Sequence, residues 1–199
     1  MASTANRVIK NTSYLYIKMG ITMFISLYIT RLILNSLGAS DFGIFNIVGG
    51  AISMLAFLNG SMAAATQRFM SYAEGENNES KKIVIFNSSI VLHLIIALFV
   101  GVLLEIGAFF LFDGVLNIPE NRISSAKIIY HCAVLSTIFT ILTVPYDAVI
   151  NAHENMLYYA AVGVFESFLK LATAFIVVYT LSDKLIVYGI FTAITALII

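Results

Sequence analysis

An all-α integral membrane fold is predicted by three observations: long apolar runs, short polar connections, and charge too sparse to cover a soluble surface. Of the 199 residues, 60% are hydrophobic and only 11% are charged. A run of about 20 apolar residues matches the hydrocarbon core of a bilayer, and a helix there satisfies its own backbone hydrogen bonds. Six runs follow one another, at residues 14–36, 43–65, 83–112, 128–149, 156–181 and 185–199. They predict one transmembrane domain over residues 1–199, built as a six-helix lobe.

The first run follows Arg7 and Lys10, but it is too long for a signal-peptide core and contains Arg31, so it reads as a retained span. The segment LGASDF leads to the second run, which has Gly49 and Gly50 near its centre and Gly60-Ser61 near its end. These small residues permit close helix packing or bending during alternating access. The connection SYAEGENNESKK is the most polar and precedes a third run spanning 83–112. At 1.5 Å per residue that run is about 45 Å long, so it must tilt or project beyond the bilayer. DGVLNIPENRISS contains Pro119 and predicts a short interfacial helix near Asn121. The fourth run carries Pro145 near its end, and NAHEN and SDK bound the fifth. The sixth run is too short for a bilayer core of about 30 Å, so the chain is expected to continue beyond Ile199.

Basic residues set the orientation. Arg7, Lys10, Lys18, Arg68, Lys81 and Lys82 lie on the side of the N-terminus, against Arg31, Arg122, Lys127 and Lys184 on the other. The bias places the N-terminus in the cytoplasm. The formal net charge of zero excludes a nucleic-acid surface. Cys132 is the single cysteine, so no intrachain disulfide forms. His93, His131 and His153 lack metal-ligand spacing, no nucleotide-binding glycine pattern or GxSxG is present, and neither metal nor cofactor is expected. Asp41, Asp113, Glu120, Asp147, Glu154 and Asp183 are scattered at and near connections on both sides, which argues against an enzyme.

Ionisable groups inside the runs each cost roughly 2.5–3.5 kcal/mol at a helix centre and need an explanation. Lys18 lies about one turn inside its span and can snorkel to the surface. Arg31 can snorkel too, or face a cavity where its guanidinium would hold a phosphate. Glu105 falls toward the end of the over-long third run, at interface depth. Glu166 and Lys170 lie near mid-membrane, four residues apart with the acid first, the favourable order for an ion pair on one helix face. They read either as a lock between helices or as the polar face of a substrate or ion pathway, and both should face the bundle interior. His93 reads as a hydrogen-bonded interhelical histidine or as a proton relay.

The stretch from Arg31 to Gly75 resembles the N-terminal region of Wzx-type polysaccharide flippases. These belong to the multidrug/oligosaccharidyl-lipid/polysaccharide exporter superfamily. The resemblance rests on Arg31, on Leu37-Gly38 and Asp41-Phe42-Gly43, on Gly60-Ser61, and on Gln67-Arg68-Phe69. It continues at Pro145, Ala148, Ala152, His153 and Glu154, while Asn155 stands where a basic residue would be expected. Such proteins have two helical lobes around a central cavity, and this chain would be the N-terminal one, with a C-terminal lobe still missing. The resemblance implies translocation of an undecaprenyl-diphosphate-linked oligosaccharide across a bacterial inner membrane, for lipopolysaccharide-type surface polysaccharide assembly. It implies Arg31 and Arg68 as cavity cations for the diphosphate, membrane lipids as surroundings, and H+ or Na+ as coupling ion. The alternatives are a cation-coupled exporter of small amphiphilic compounds, favoured if acidic residues such as Glu166 and Glu105 line the lobe, and a membrane enzyme of envelope biosynthesis.

Overall fold

The computed structural model describes residues 2–53 and 56–199; positions 54–55, within the second predicted span, lie outside the described residues. The fold is all-α, with no strand among the described residues. Helix α1 spans Ala2–Ser53, α2 Ala56–Gly75, α3 Glu79–Phe110, α4 Ile123–Ala152, α5 Met156–Tyr179 and α6 Lys184–Ile198.

Helix α1 is two limbs joined at a corner. Gly38 has φ 75° and ψ 169°, a backbone conformation that side-chain-bearing residues rarely adopt. The expected LGASDF loop is therefore a one-residue corner, and helical structure resumes at once. The limb of residues 2–37 runs beside α5, with Tyr28 against Phe175 and Ile33 packed on Ala174 and Val177. The limb of residues 39–53 runs back beside α4 and α6. There Phe45 meets Tyr188 at 4.5 Å between ring centroids, and Val48 and Ile52 join Ile129 and Ile141 in the main core.

The limb of residues 39–53 and α2 run in the same direction, and the other helical segments alternate. The Gly38 corner and the connections at 111–122 and 180–183 form one end of the bundle, called distal here. The N-terminus and the connections at 76–78 and 153–155 form the proximal end. Between them the core runs from Ile44 through Ala97, Val100 and Leu104 to Ala126, Tyr130 and Val134. Tyr130 is buried there and donates its hydroxyl to the Leu104 carbonyl at 2.6 Å. That bond satisfies the polar tip of an otherwise apolar ring.

Several predicted boundaries need correction. Residues Ser71–Gly75 are helical although polar, so the second connection shrinks to residues 76–78. Asn78 begins α3 by accepting from the Lys81 N–H at 3.0 Å. Helix α3 ends in a π-turn at Leu111–Val115, a 3₁₀ turn covers Glu120–Arg122, and α4 begins at Ile123 rather than at 128. In each case the helix outlasts the apolar run. Backbone bonds and caps set helix ends, whereas hydropathy marks only the apolar part. Among the described residues, four stretches are long and apolar enough to cross a membrane: Ala5–Gly50, Glu79–Asp113, Glu120–Ala152 and Met156–Tyr179. The first contains the Gly38 corner, and α6 is a shorter apolar helix.

Candidate functional site

A cavity of about 720 Å³ opens between the first limb of α1, α5 and α6. Helix α1 contributes Lys18, Thr22, Ser26 and Thr30; α5 contributes Gly163, Glu166, Ser167, Lys170 and Thr173; α6 contributes Tyr188, Thr192 and Thr195. The hydroxyls spend their protons within the helices. Thr30 donates to the Ser26 carbonyl at 2.9 Å, Ser167 to Gly163 at 3.0 Å and Thr192 to Tyr188 at 2.7 Å. Each hydroxyl oxygen keeps acceptor capacity.

Charge is concentrated at the wall shared by α1 and α5. Lys170 Nζ lies 2.6 Å from Glu166 Oε1, the pairing that their spacing predicts. Their side chains remain 53% and 37% accessible, so the pair opens into the cavity and is not sealed between helices. Lys18 lies against α5. Its chain crosses Gly163, where a β-carbon would collide with Lys18 Cε and lie 2.7 Å from Nζ. Its ammonium stands 3.7 Å from the centroid of the Tyr159 ring, a close cation–π contact. Asp147 of α4 is half-buried and interacts electrostatically with both Lys18 and Glu166. Two ammonium groups and two carboxylates therefore share one region of the bundle.

By sequence position alone Asp147 is one of the scattered carboxylates. The signal that could have found it is its position inside the fourth run, two residues after Pro145. The other candidates are dispersed. Arg31 and Arg68 are exposed and do not line the cavity. Glu105 pairs with His131 Nδ1 at 2.9 Å, joining α3 to α4 away from the cavity. His93 is buried between α2 and α3; its Nδ1 donates to the Ser89 carbonyl at 2.7 Å, and the Ser89 hydroxyl meets that of Thr66 at 3.3 Å. His93 Nε2 is buried with no hydrogen-bond partner.

Both ends of the bundle are tied by ions. At the distal end Arg122 forms a fork on Asp41, with Nε 2.8 Å from Oδ1 and Nη2 on Oδ2, while Nη1 reaches Asp183 Oδ2 at 2.7 Å. Ser125 also donates to Asp183, at 3.0 Å. Burial alone would raise the Asp183 carboxyl. The Ser125 hydroxyl, the Arg122 guanidinium and the N–H groups of Leu185 and Ile186 outweigh burial and hold it below the usual value. At the proximal end Glu74 takes Lys82 Nζ at 2.9 Å and faces His153 Nε2 at 3.3 Å. The Lys82 hydrogen bond is the main reason that the Glu74 carboxyl sits below its usual value. Neither network is visible as a local motif, because its members come from connections far apart in sequence.

Among the described residues, no group of histidine, cysteine, aspartate and glutamate side chains gathers as a metal site. Comparison of the chain with protein-family models, curated proteins and solved structures returned no match in any of the three.

Proposed function

We propose that the chain is the N-terminal lobe of a bacterial inner-membrane flippase for a lipid-linked oligosaccharide carried on a prenyl diphosphate. One observation carries this reading: a roomy, open cavity that gathers hydroxyls and ammonium groups on a bundle whose outer surface is otherwise apolar. A diphosphate and its sugars cannot enter hydrocarbon unless protein charge and polar groups replace their hydration. Hydroxyl oxygens and amphipathic aromatic edges suit a sugar, and Lys18 and Lys170 suit the diphosphate. The anion-binding role expected of Arg31 and Arg68 therefore passes to these lysines. The prenyl chain would remain in the lipid, and alternating access would require the partner lobe.

The test is binding of a short-chain prenyl diphosphate to the chain in phosphatidylcholine nanodiscs, read by calorimetry. Lys18→Gln with Lys170→Gln should weaken binding by about tenfold or more, since each charge-assisted contact contributes about 1.5–3 kcal/mol. Arg31→Ala with Arg68→Ala should leave it within about twofold. The reverse result would overturn the cavity assignment. A second reading, a cation-coupled exporter of amphiphilic compounds, draws support from Glu166 in the lining and Asp147 beside it. It requires that a lipophilic cation bind in place of the diphosphate, and that Glu166→Gln abolish that binding.

A further inference from the structure

A second cleft, of about 450 Å³, lies at the proximal end between the same two helices. Its walls are the start of α1, with Arg7, Lys10, Asn11 and Tyr14, and the α4–α5 connection, with Glu154 and Asn155. Arg7 Nη2 binds Glu154 Oε2 at 2.6 Å, and Asn11 Nδ2 donates to the Glu154 carbonyl at 3.2 Å. Glu154 itself has φ 53°, a left-handed conformation uncommon outside glycine, so the turn that presents it is a specified shape. The Glu154 carboxylate engages one nitrogen of a guanidinium that has five N–H donors. Lys10 reaches only as far as the Tyr14 ring, 5.9 Å from its centroid. Donors thus outnumber acceptors in the cleft.

The cleft and the cavity lie along the same helix, α1. At 100° per residue, Arg7, Asn11, Tyr14, Lys18 and Thr22 fall within about 80° of one another on the face of α1. Arg7, Asn11 and Tyr14 line the cleft; Lys18 and Thr22 line the cavity, followed by Ser26 and Thr30. Hydrogen-bonding groups therefore recur at every turn, from the first charged residues of the chain to the cavity wall.

We infer that the Arg7–Lys10 cleft is a capture site for a phosphate ester at the bilayer surface, and that this face of α1 is the track by which a captured head group reaches the cavity. The inference rests on the flippase reading, since it supplies that cavity with an entrance. Arg7 binds one phosphate oxygen pair in a planar fork and Lys10 acts as a mobile point charge. Glu154 is the built-in competitor that an arriving phosphate displaces. A lipid-linked diphosphate and an anionic phospholipid offer the same chemistry, so the experiment separates them.

The probe is a short-chain prenyl diphosphate added to the whole chain in phosphatidylcholine nanodiscs, with phosphatidylglycerol as competitor in a second set. Arg7→Gln with Lys10→Gln should weaken diphosphate binding by about tenfold. Glu154→Gln should strengthen it, an opposite-sign effect that impaired folding cannot produce. Binding within twofold of wild type in both variants would overturn the inference, and the flippase reading would survive if Lys18 and Lys170 were still required. If wild type bound no prenyl diphosphate but held phosphatidylglycerol in a manner dependent on Arg7 and Lys10, the cleft would stand as a phosphate-ester site and the flippase reading would fall.

Discussion

The distal clamp and the interior cavity use the same kinds of charged side chain to opposite ends. In the clamp one guanidinium satisfies two carboxylates, and both carboxylates also sit at points where the chain turns: Asp41 just after the Gly38 corner and Asp183 at the start of α6. The site is compact and largely shielded. In the cavity Lys18 of α1 and Glu166 and Lys170 of α5 line the wall, with Asp147 of α4 close by, and the Glu166–Lys170 pair stays open to the cavity. Pairing that is saturated and shielded makes a structural tie. Pairing that is loose and accessible leaves charge free for a ligand.

The sharpest way to break this contrast is Arg122→Met. It strands two partly buried carboxylates at the junction of three connections, a loss expected to cost about 3 kcal/mol. A fall in melting temperature, followed by circular dichroism in detergent, would register it. The same measurement on Glu166→Gln with Lys170→Met should move far less, because an accessible pair contributes little. Equal losses would mean that the cavity pair is also a structural tie.

Acid gives a graded version of the same test. The Asp183 carboxyl is held below its usual value of 3.8, so the folded state favours its charged form. A depressed carboxylate contributes stability that is present above the unfolded value and is lost as pH falls through the folded one. The clamp should therefore hold at neutral pH and weaken only below about pH 4. Asp183→Asn removes this component, so the difference between its acid melting profile and that of wild type isolates Asp183 from the other carboxylates. Parallel profiles would show that Asp183 is not held by its neighbours.

The contrast also explains what could be read from sequence. The apolar runs fall largely on helices, because burial against lipid-like or protein surroundings writes itself into hydropathy, although the second run covers parts of both α1 and α2. They misplaced helix ends wherever a polar segment such as Ser71–Gly75 stayed helical, since caps and backbone bonds carry no hydropathy signal. The Glu166–Lys170 pair was legible because both residues lie on one helix, four apart. The depth of Lys18 is legible in sequence, but nothing in its own helix announces the notch at Gly163 that its chain crosses. Asp147 comes near Lys18 and Glu166 only through packing of α4 beside α1 and α5. The Arg122 clamp brings together residues 41, 122 and 183, and no local period links them.

Gly163→Ala offers the smallest structural change and the most selective one. The added methyl would occupy the space of Lys18 Cε, and the obstacle it meets is the far end of a flexible side chain. Lys18 can rotate away, so stability should change by less than about 0.5 kcal/mol. Helix propensity favours alanine over glycine, which offsets part of any strain. The ammonium, however, would leave the Tyr159 ring and no longer sit over the α5 wall of the cavity. Prenyl diphosphate affinity should then fall several-fold while the melting temperature stays put. That separation of binding from stability is what an open, ligand-directed charge requires. Were Lys18 a packing element like Arg122, Gly163→Ala would lower the melting temperature and leave affinity unchanged.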